Sequence, residues 1–101
     1  MAKIVVIGST NTDLVIKTER MPEPSETVIG GSFMMTAGGK GANQAVAAVR
    51  MGGDVLFVTK VGDDMFGEES QRHFAEENLP SEYIFVEQGA PSGVALITVD
   101  A

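Results

Sequence analysis

The chain has 101 residues, of which 44% are hydrophobic, and it contains neither cysteine nor tryptophan. This length supports one small globular domain. The formal charge of −7 argues against nucleic acid as a partner, and the lack of cysteine excludes disulfides and thiol chemistry. With no apolar run of membrane-spanning length and no leader pattern, a cytoplasmic protein without membrane contact is expected.

A short β-branched run at residues 4–7 predicts a strand that is buried on both faces, as in the centre of a parallel sheet. Asn11, Thr12 and Asp13 follow soon after it. Open α/β sheets bind ligands beyond the carboxyl ends of their strands, whereas Asn and Asp are also common turn residues. Asn11 and Asp13 are therefore candidates either for ligand contacts or for shaping the turn.

Two further extended runs, at residues 14–18 and 27–35, are separated by a segment that contains two prolines. Because no helix lies between them, the two runs cannot form a parallel crossover. They are predicted to pair as an antiparallel flap outside the parallel sheet. Met34 and Met35 either contact a ligand or partner or, as the favoured interpretation, fill a gap in the core.

The most informative stretch is Gly38-Gly39-Lys40-Gly41-Ala42-Asn43-Gln44-Ala45. Its glycines predict a loop that needs unusual dihedral angles or a close approach to a ligand. The helix predicted after it would point its first N–H groups back at this loop. Together with the charge of Lys40 and the amide of Asn43, this arrangement predicts a cradle for an oxygen-rich small molecule. The helix prediction rests on amphipathic spacing at Ala42, Ala45, Val46 and Val49.

Residues 55–58 predict the next buried strand, which completes a right-handed parallel unit with the preceding helix. A second helix is predicted to begin after Asp63 or Asp64 as the N-cap and to stop near Pro80. His73 in this helix is interpreted as a surface or boundary residue and not as a catalytic base. Residues 83–86 and 94–99 flank a segment rich in turn residues, and the favoured interpretation is a hairpin.

Four motifs together resemble the ribokinase-like (PfkB) family of carbohydrate kinases. They occur in the family's order and span nearly the whole chain: Gly8-Ser9-Thr10-Asn11-Thr12-Asp13, the glycine stretch from Gly38 to Ala45, Gly62-Asp63-Asp64, and Ser92-Gly93-Val94-Ala95. The resemblance implies an α/β, Rossmann-type three-layer core with a small antiparallel β-sheet lid. On this basis the core is expected at about residues 1–13 and 36–80, and the lid at about residues 14–35 and 82–99.

The resemblance also implies the activity: ATP-dependent phosphorylation of ribose at its primary hydroxyl. Asp13 would accept hydrogen bonds from two vicinal sugar hydroxyls, with further contacts from Asn11, the backbone N–H of Gly39, Lys40 and Asn43. The lid would close over the sugar and form the interface of a homodimer. The full set of expected substrate-binding residues is Asn11, Thr12, Asp13, Gly39, Lys40, Gly41, Ala42 and Asn43.

The family's catalytic base lies in a Gly-Ala-Gly-Asp motif that is absent from this sequence. ATP, Mg²⁺ and a monovalent cation such as K⁺ are likewise expected to bind mainly outside these residues. The chain is therefore interpreted as the N-terminal portion of a longer enzyme, which supplies much of the sugar site and would be inactive alone.

Three alternatives are weighed. Within the class, the substrate could be fructose, 2-keto-3-deoxygluconate or a nucleoside, because one site for vicinal hydroxyls suits several of them. In another class, the same fold could serve as a non-catalytic sugar-binding or dimerisation module. A dinucleotide-binding oxidoreductase is disfavoured because neither glycine loop has the three-glycine fingerprint, and neither has the Gly-Lys-Ser/Thr of a Walker loop.

Overall fold

The computed structural model describes residues 3–101. Met1 and Ala2, which the first expected core segment includes, lie outside the described residues. The elements in chain order are β1 (Lys3–Ile7), β2 (Asn11–Lys17), β3 (Ser32–Gly38), α1 (Lys40–Arg50), β4 (Asp54–Gly62), α2 (Met65–Glu76), β5 (Ile84–Glu87) and β6 (Gly93–Val99).

Three parallel strands form the core sheet, in the order β1-β4-β5. Both helices cover one face of this sheet, because Val6, Val55 and Phe57 form a single buried cluster with residues of α1 and α2. The rings of Phe57 and Phe74 meet edge to face with their centroids 5.5 Å apart. The predicted strand–helix–strand unit and its amphipathic first helix are therefore confirmed. The expectation that residues 4–7 are buried on both faces at the centre of the sheet is wrong, because β1 lies at an edge of the core sheet and Val5 and Ile7 are exposed.

The remaining strands form a second sheet, the lid sheet, in the order β3-β2-β6. β2 pairs with β3 in antiparallel register, as the flap prediction required. β2 also pairs with β6, and this pairing is parallel. The lid sheet is thus mixed, and the expectation of an antiparallel lid is wrong on this side.

The predicted hairpin of residues 83–86 and 94–99 is wrong. β5 pairs with β4 in the core sheet, whereas β6 pairs with β2 in the lid sheet. Residues 88–92 do turn the chain, but they carry it from one sheet to the other. Turn residues predict a change of direction, not the partner of the strand that follows, because a strand pairs with whichever edge the tertiary structure offers.

Several element boundaries differ from those expected. Residues 11–13, placed in the core segment, are the first residues of lid strand β2, and β3 begins at Ser32, after the positive-φ residues Gly30 and Gly31. α2 begins directly after Asp64, whose side chain accepts a hydrogen bond from the N–H of Gly67, so this N-cap prediction is confirmed. Met34 and Met35 are 58% and 42% exposed, so the core-filling interpretation is wrong.

No helix among residues 3–101 is both long and apolar enough to cross a membrane.

Candidate functional site

The glycine stretch packs its backbone against the junction between β1 and β2. A side chain at Gly41 would bring its Cβ within 2.6 Å of the Gly8 Cα, and one at Gly39 would lie 2.6 Å from the Ser9 carbonyl oxygen. Gly39 also has a φ of 100°, which other residues rarely adopt. The predicted need for glycine is therefore met by close backbone packing and by one positive φ angle.

Asn11 and Asp13 form a polar pair on one face of the lid sheet. The Asn11 Nδ2 donates a hydrogen bond of 2.8 Å to the Asp13 Oδ1. Both side chains are half-buried. An ionised carboxylate has about four acceptor positions, so Asp13 keeps capacity to accept hydrogen bonds from a ligand.

Gly38 lies directly opposite this pair, since it is the β3 partner of Asn11. A Cβ at residue 38 would lie 2.7 Å from both the Asn11 Nδ2 and the Asp13 Oδ1. Gly38 is part of the predicted glycine loop but is not among the predicted site residues. Its role depends on strand register, which the local sequence does not specify.

Helix α1 begins within the same region. Its N-cap is Gly39, and the N–H of Ala42 donates to the Ser9 carbonyl at 3.1 Å, which ties the first turn to the β1–β2 junction. The first turn contains no acidic side chain, and Lys40 takes part in none of the five ion pairs among residues 3–101. The positive end of the helix therefore stays available to attract oxygen atoms of a ligand.

The structure brings together most, but not all, of the predicted substrate-binding residues. Asn11 and Asp13 lie beside the turn that holds Gly39, Gly41 and Ala42. Lys40 and Asn43 are exposed on the first turn of α1, and Asn43 lines a shallow groove along that helix.

Thr12 is separated from the polar pair. Its neighbours in β2 point to one face of the sheet, so its own side chain points to the other. There it is buried and lines a cavity between the lid sheet and α2, together with Glu69, Ser70 and His73. His73 is half-buried at this cavity between the lid sheet and α2, which agrees with its interpretation as a boundary residue.

Residues 3–101 contain no group of three or more His, Asp or Glu side chains that is arranged to hold a metal ion. Asp63 accepts a hydrogen bond from the N–H of Gly89, and Asp64 accepts hydrogen bonds from the N–H groups of Gly67 and Ser92.

The sequence model of the pfkB family carbohydrate kinases matches residues 1–101. The chain belongs to this family. It is 42% identical over 99 residues to the ribokinase of Bacillus subtilis, covering 98% of this chain and 34% of the relative. It is 43% identical over 98 residues to the deoxyribokinase of Salmonella typhi, covering 97% of this chain and 32% of the relative.

Among solved structures of the family, a ribokinase of Arabidopsis thaliana complexed with ribose and ATP superposes with a TM-score of 0.87 at 30% identity. The match covers 96% of this chain and 32% of that one. The α/β, ribokinase-like fold expected from the motifs is confirmed. The chain spans about a third of the length of the curated relatives it matches.

Proposed function

We propose that the protein is a sugar kinase that transfers the terminal phosphoryl group of ATP to the primary hydroxyl of D-ribose, giving ribose 5-phosphate. One observation carries this proposal: the hydrogen-bonded pair of Asn11 and Asp13, which Gly38 and the start of α1 enclose. The family membership supports the reaction class. The name of the Bacillus subtilis relative and the ribose bound to the Arabidopsis structure support the substrate.

In this proposal, the residues of the chain bind and orient the sugar. Asp13 accepts hydrogen bonds from two vicinal hydroxyls, and its bond from Asn11 holds the carboxylate in one orientation. The N–H of Gly39 and the side chains of Lys40 and Asn43 donate to the remaining oxygens. Fixing the sugar in this way presents its primary hydroxyl for attack, which can supply a large part of the rate enhancement.

ATP, Mg²⁺ and a monovalent cation such as K⁺ are assigned to parts of the enzyme outside these residues. The base that deprotonates the sugar hydroxyl is likewise assigned to parts of the enzyme outside these residues. Residues 1–101 alone are expected to lack kinase activity, and the cytoplasmic location stays a prediction.

The lid sheet is proposed to form a homodimer interface. Leu14 pairs in register with Met35 and Leu96, so these side chains share the face opposite to Asp13. Met35 and Leu96 are 42% and 82% exposed, and Phe33 on the same face is 62% exposed. An apolar face of this kind suits a second copy of the lid better than contact with water.

Other sugars remain candidates in the same site. The deoxyribokinase of Salmonella typhi is as similar to the chain as the ribokinase of Bacillus subtilis. Fructose, 2-keto-3-deoxygluconate and nucleosides also carry hydroxyl groups that Asp13 can bind. A non-catalytic sugar-binding module is the alternative outside the kinase class.

The test is a comparison of ribose with 2-deoxyribose, fructose, 2-keto-3-deoxygluconate and adenosine, using thermal shift and ADP release by the complete enzyme. Deoxyribose lacks one of the two vicinal hydroxyls, so it loses one charge-assisted hydrogen bond of about 1.5–3 kcal/mol. Its kcat/KM should therefore be about 10- to 150-fold below that of ribose. Equal values for the two sugars would contradict the role of Asp13, and sugar binding without ADP release would favour the non-catalytic module.

A further inference from the structure

Residues 88–92 connect the core sheet to the lid sheet, and the start of α2 holds this connection in place. The N–H of Gly89 donates to the Asp63 Oδ2 at 2.8 Å, and the Asp63 N–H donates to the Ala90 carbonyl at 3.3 Å. The N–H of Gly62 donates to the Ser92 Oγ at 2.8 Å. Gly89, Ala90 and Ser92 of the connection are therefore hydrogen-bonded to Gly62 at the end of β4 or to Asp63 directly after it.

Asp64 contributes the strongest part of this arrangement. Its Oδ2 accepts from the Ser92 N–H at 2.9 Å, and its Oδ1 accepts from the Ser92 Oγ at 2.7 Å and from the Gly67 N–H at 2.9 Å. Hydrogen bonds to an ionised carboxylate are stronger than those between neutral groups. Both oxygens are thus used, and one carboxylate joins the helix N-terminus to the root of the lid.

Glycines leave the space for this contact. A Cβ at Gly62 would lie 2.5 Å from the Ser92 nitrogen, and one at Gly67 would lie 3.1 Å from the Ser92 Oγ. Two of the motifs that resemble the family, Gly62-Asp63-Asp64 and Ser92-Gly93, therefore meet at one place. The sugar contacts proposed above do not use either of them.

The anchored residue directly precedes the strand that borders the sugar site. Gly93 is the first residue of β6 and pairs with Asn11, and Ala95 pairs with Asp13. The other side of the lid root is held by the same strand of the core, because the Thr10 and Thr59 hydroxyls lie 2.8 Å apart. The carboxyl end of β4 thus holds the start of both β2 and β6.

We propose that Asp64 and Ser92 are positioning residues of the sugar site, which hold β6 beside β2 and so set Asn11 and Asp13 against the start of α1. The inference rests on the proposed sugar function. The sugar would bridge Asp13 on the lid sheet and the first turn of α1 on the core, so its affinity depends on the placement of one against the other. ATP is assigned to other parts of the enzyme, so the affinity for ATP does not depend on the placement of the lid sheet against the core.

The test uses Ser92→Ala and Asp64→Asn in the complete enzyme. Asn is as good an N-cap as Asp, so Asp64→Asn keeps the bond to Gly67 but turns an amide donor toward the Ser92 N–H. Each variant should raise the sugar KM about 10-fold and leave the ATP KM within about 2-fold. The two substitutions weaken different hydrogen bonds of one Asp64–Ser92 contact, so the double variant should raise the sugar KM by less than the product of the two single effects.

Two controls separate positioning from general stability. Ser92→Thr retains the hydroxyl and should keep the sugar KM near that of the wild type. Phe74→Leu weakens the core around the same helix and should lower the melting temperature without raising the sugar KM. An unchanged sugar KM in Ser92→Ala and Asp64→Asn, or an equal rise in Phe74→Leu, would overturn the proposal.

Hydrogen exchange of residues 93–99 gives a readout that does not depend on activity. Ser92→Ala and Asp64→Asn should exchange these amides faster than the wild type, while Phe74→Leu should affect mainly α2. If the wild type binds no sugar, the proposed function fails, and unchanged exchange in the two variants would separately show that Asp64 and Ser92 do not hold β6.

Discussion

At the scale of single residues, the carboxylates of Asp13 and Asp64 have different surroundings. Asp13 has one hydrogen bond from a side chain and spare acceptor capacity beside an open site. Asp64 has both oxygens occupied by donors from the protein. A carboxylate with free capacity is suited to bind a ligand, whereas a saturated one is suited to hold structure.

The first prediction concerns Asp13. Asp13→Asn in the complete enzyme should lower kcat/KM for the sugar by about 10- to 150-fold, because it weakens charge-assisted hydrogen bonds of about 1.5–3 kcal/mol. Asp54→Asn is the matched control, since Asp54 is the first residue of β4 and forms an exposed ion pair with Lys3. Steady-state kinetics measure kcat/KM of both variants, and an equal loss in the two would contradict the proposed sugar-binding role of Asp13.

The second prediction concerns Asp64 and pH. Hydrogen bonds from the Ser92 hydroxyl, then from the Ser92 and Gly67 N–H groups, hold the pKa of Asp64 below its usual value. A lowered pKa in the folded state stabilises the protein above the unfolded pKa of about 3.9, and this contribution is lost as the pH falls through the folded value.

Asp64→Asn should therefore lower the melting temperature at neutral pH, and the difference from the wild type should shrink as the pH falls below about 4. Thermal melts of both proteins across this range provide the measurement. Other carboxylates with lowered pKa values, such as Glu26 and Glu77, are present in both proteins and cancel in the difference. A difference that is constant with pH would show that the Asp64 charge does not contribute.

At the scale of elements, the start of α1 is defined by its contact with the end of β1. Gly41 and Gly8 approach so closely that a Cβ on either residue would lie less than 3 Å from the Cα of the other. The bond from the Ala42 N–H to the Ser9 carbonyl fixes the same contact. This packing places the positive end of the helix beside the Asn11–Asp13 pair.

The third prediction follows from that contact. Alanine normally favours a helix over glycine by about 1 kcal/mol, but Gly41→Ala should destabilise the protein by about 1–3 kcal/mol because the helix must move away from Gly8. Gln44→Ala, at an exposed position of the same helix, should stay within about 0.5 kcal/mol of the wild type. Urea unfolding measures both, and a more stable Gly41→Ala variant would contradict the close packing.

At the scale of the whole molecule, both sheets have exposed apolar side chains. The core sheet has both described helices on one face, and Val5, Ile7 and Phe85 on the other face are between 50% and 78% exposed. The lid sheet carries the Asn11–Asp13 pair and the exposed Met34 on one face, and the more exposed Phe33 and Leu96 on the other. The face with Phe33 and Leu96 is the proposed dimer interface.

The fourth prediction concerns this lid face. Leu96→Asp in the complete enzyme should convert the proposed homodimer to a monomer, because two like charges and their desolvation would replace an apolar contact. Met51→Asp is the control, since Met51 is 88% exposed at the end of α1 and away from the lid. Light scattering coupled to size exclusion measures the mass. A Leu96→Asp variant that stays dimeric would place the interface elsewhere.

The sequence by itself was sufficient to predict the features that depend on residues close together in the chain. The β-branched runs, the apolar spacing of α1 and the Asp64 N-cap depend on residues within one or two turns, so the parallel unit and both helices could be predicted. The glycine stretch likewise indicated close packing before a helix.

Only the tertiary structure decided the partners of β5 and β6. β5 and β6 follow one another across a short turn, yet they lie in different sheets. The contact of Asp64 with Ser92 spans 28 positions in the sequence, and Gly38 meets Asn11 through strand register. Such contacts depend on the path of the whole chain and on which edges are free, and these are properties that no local pattern encodes.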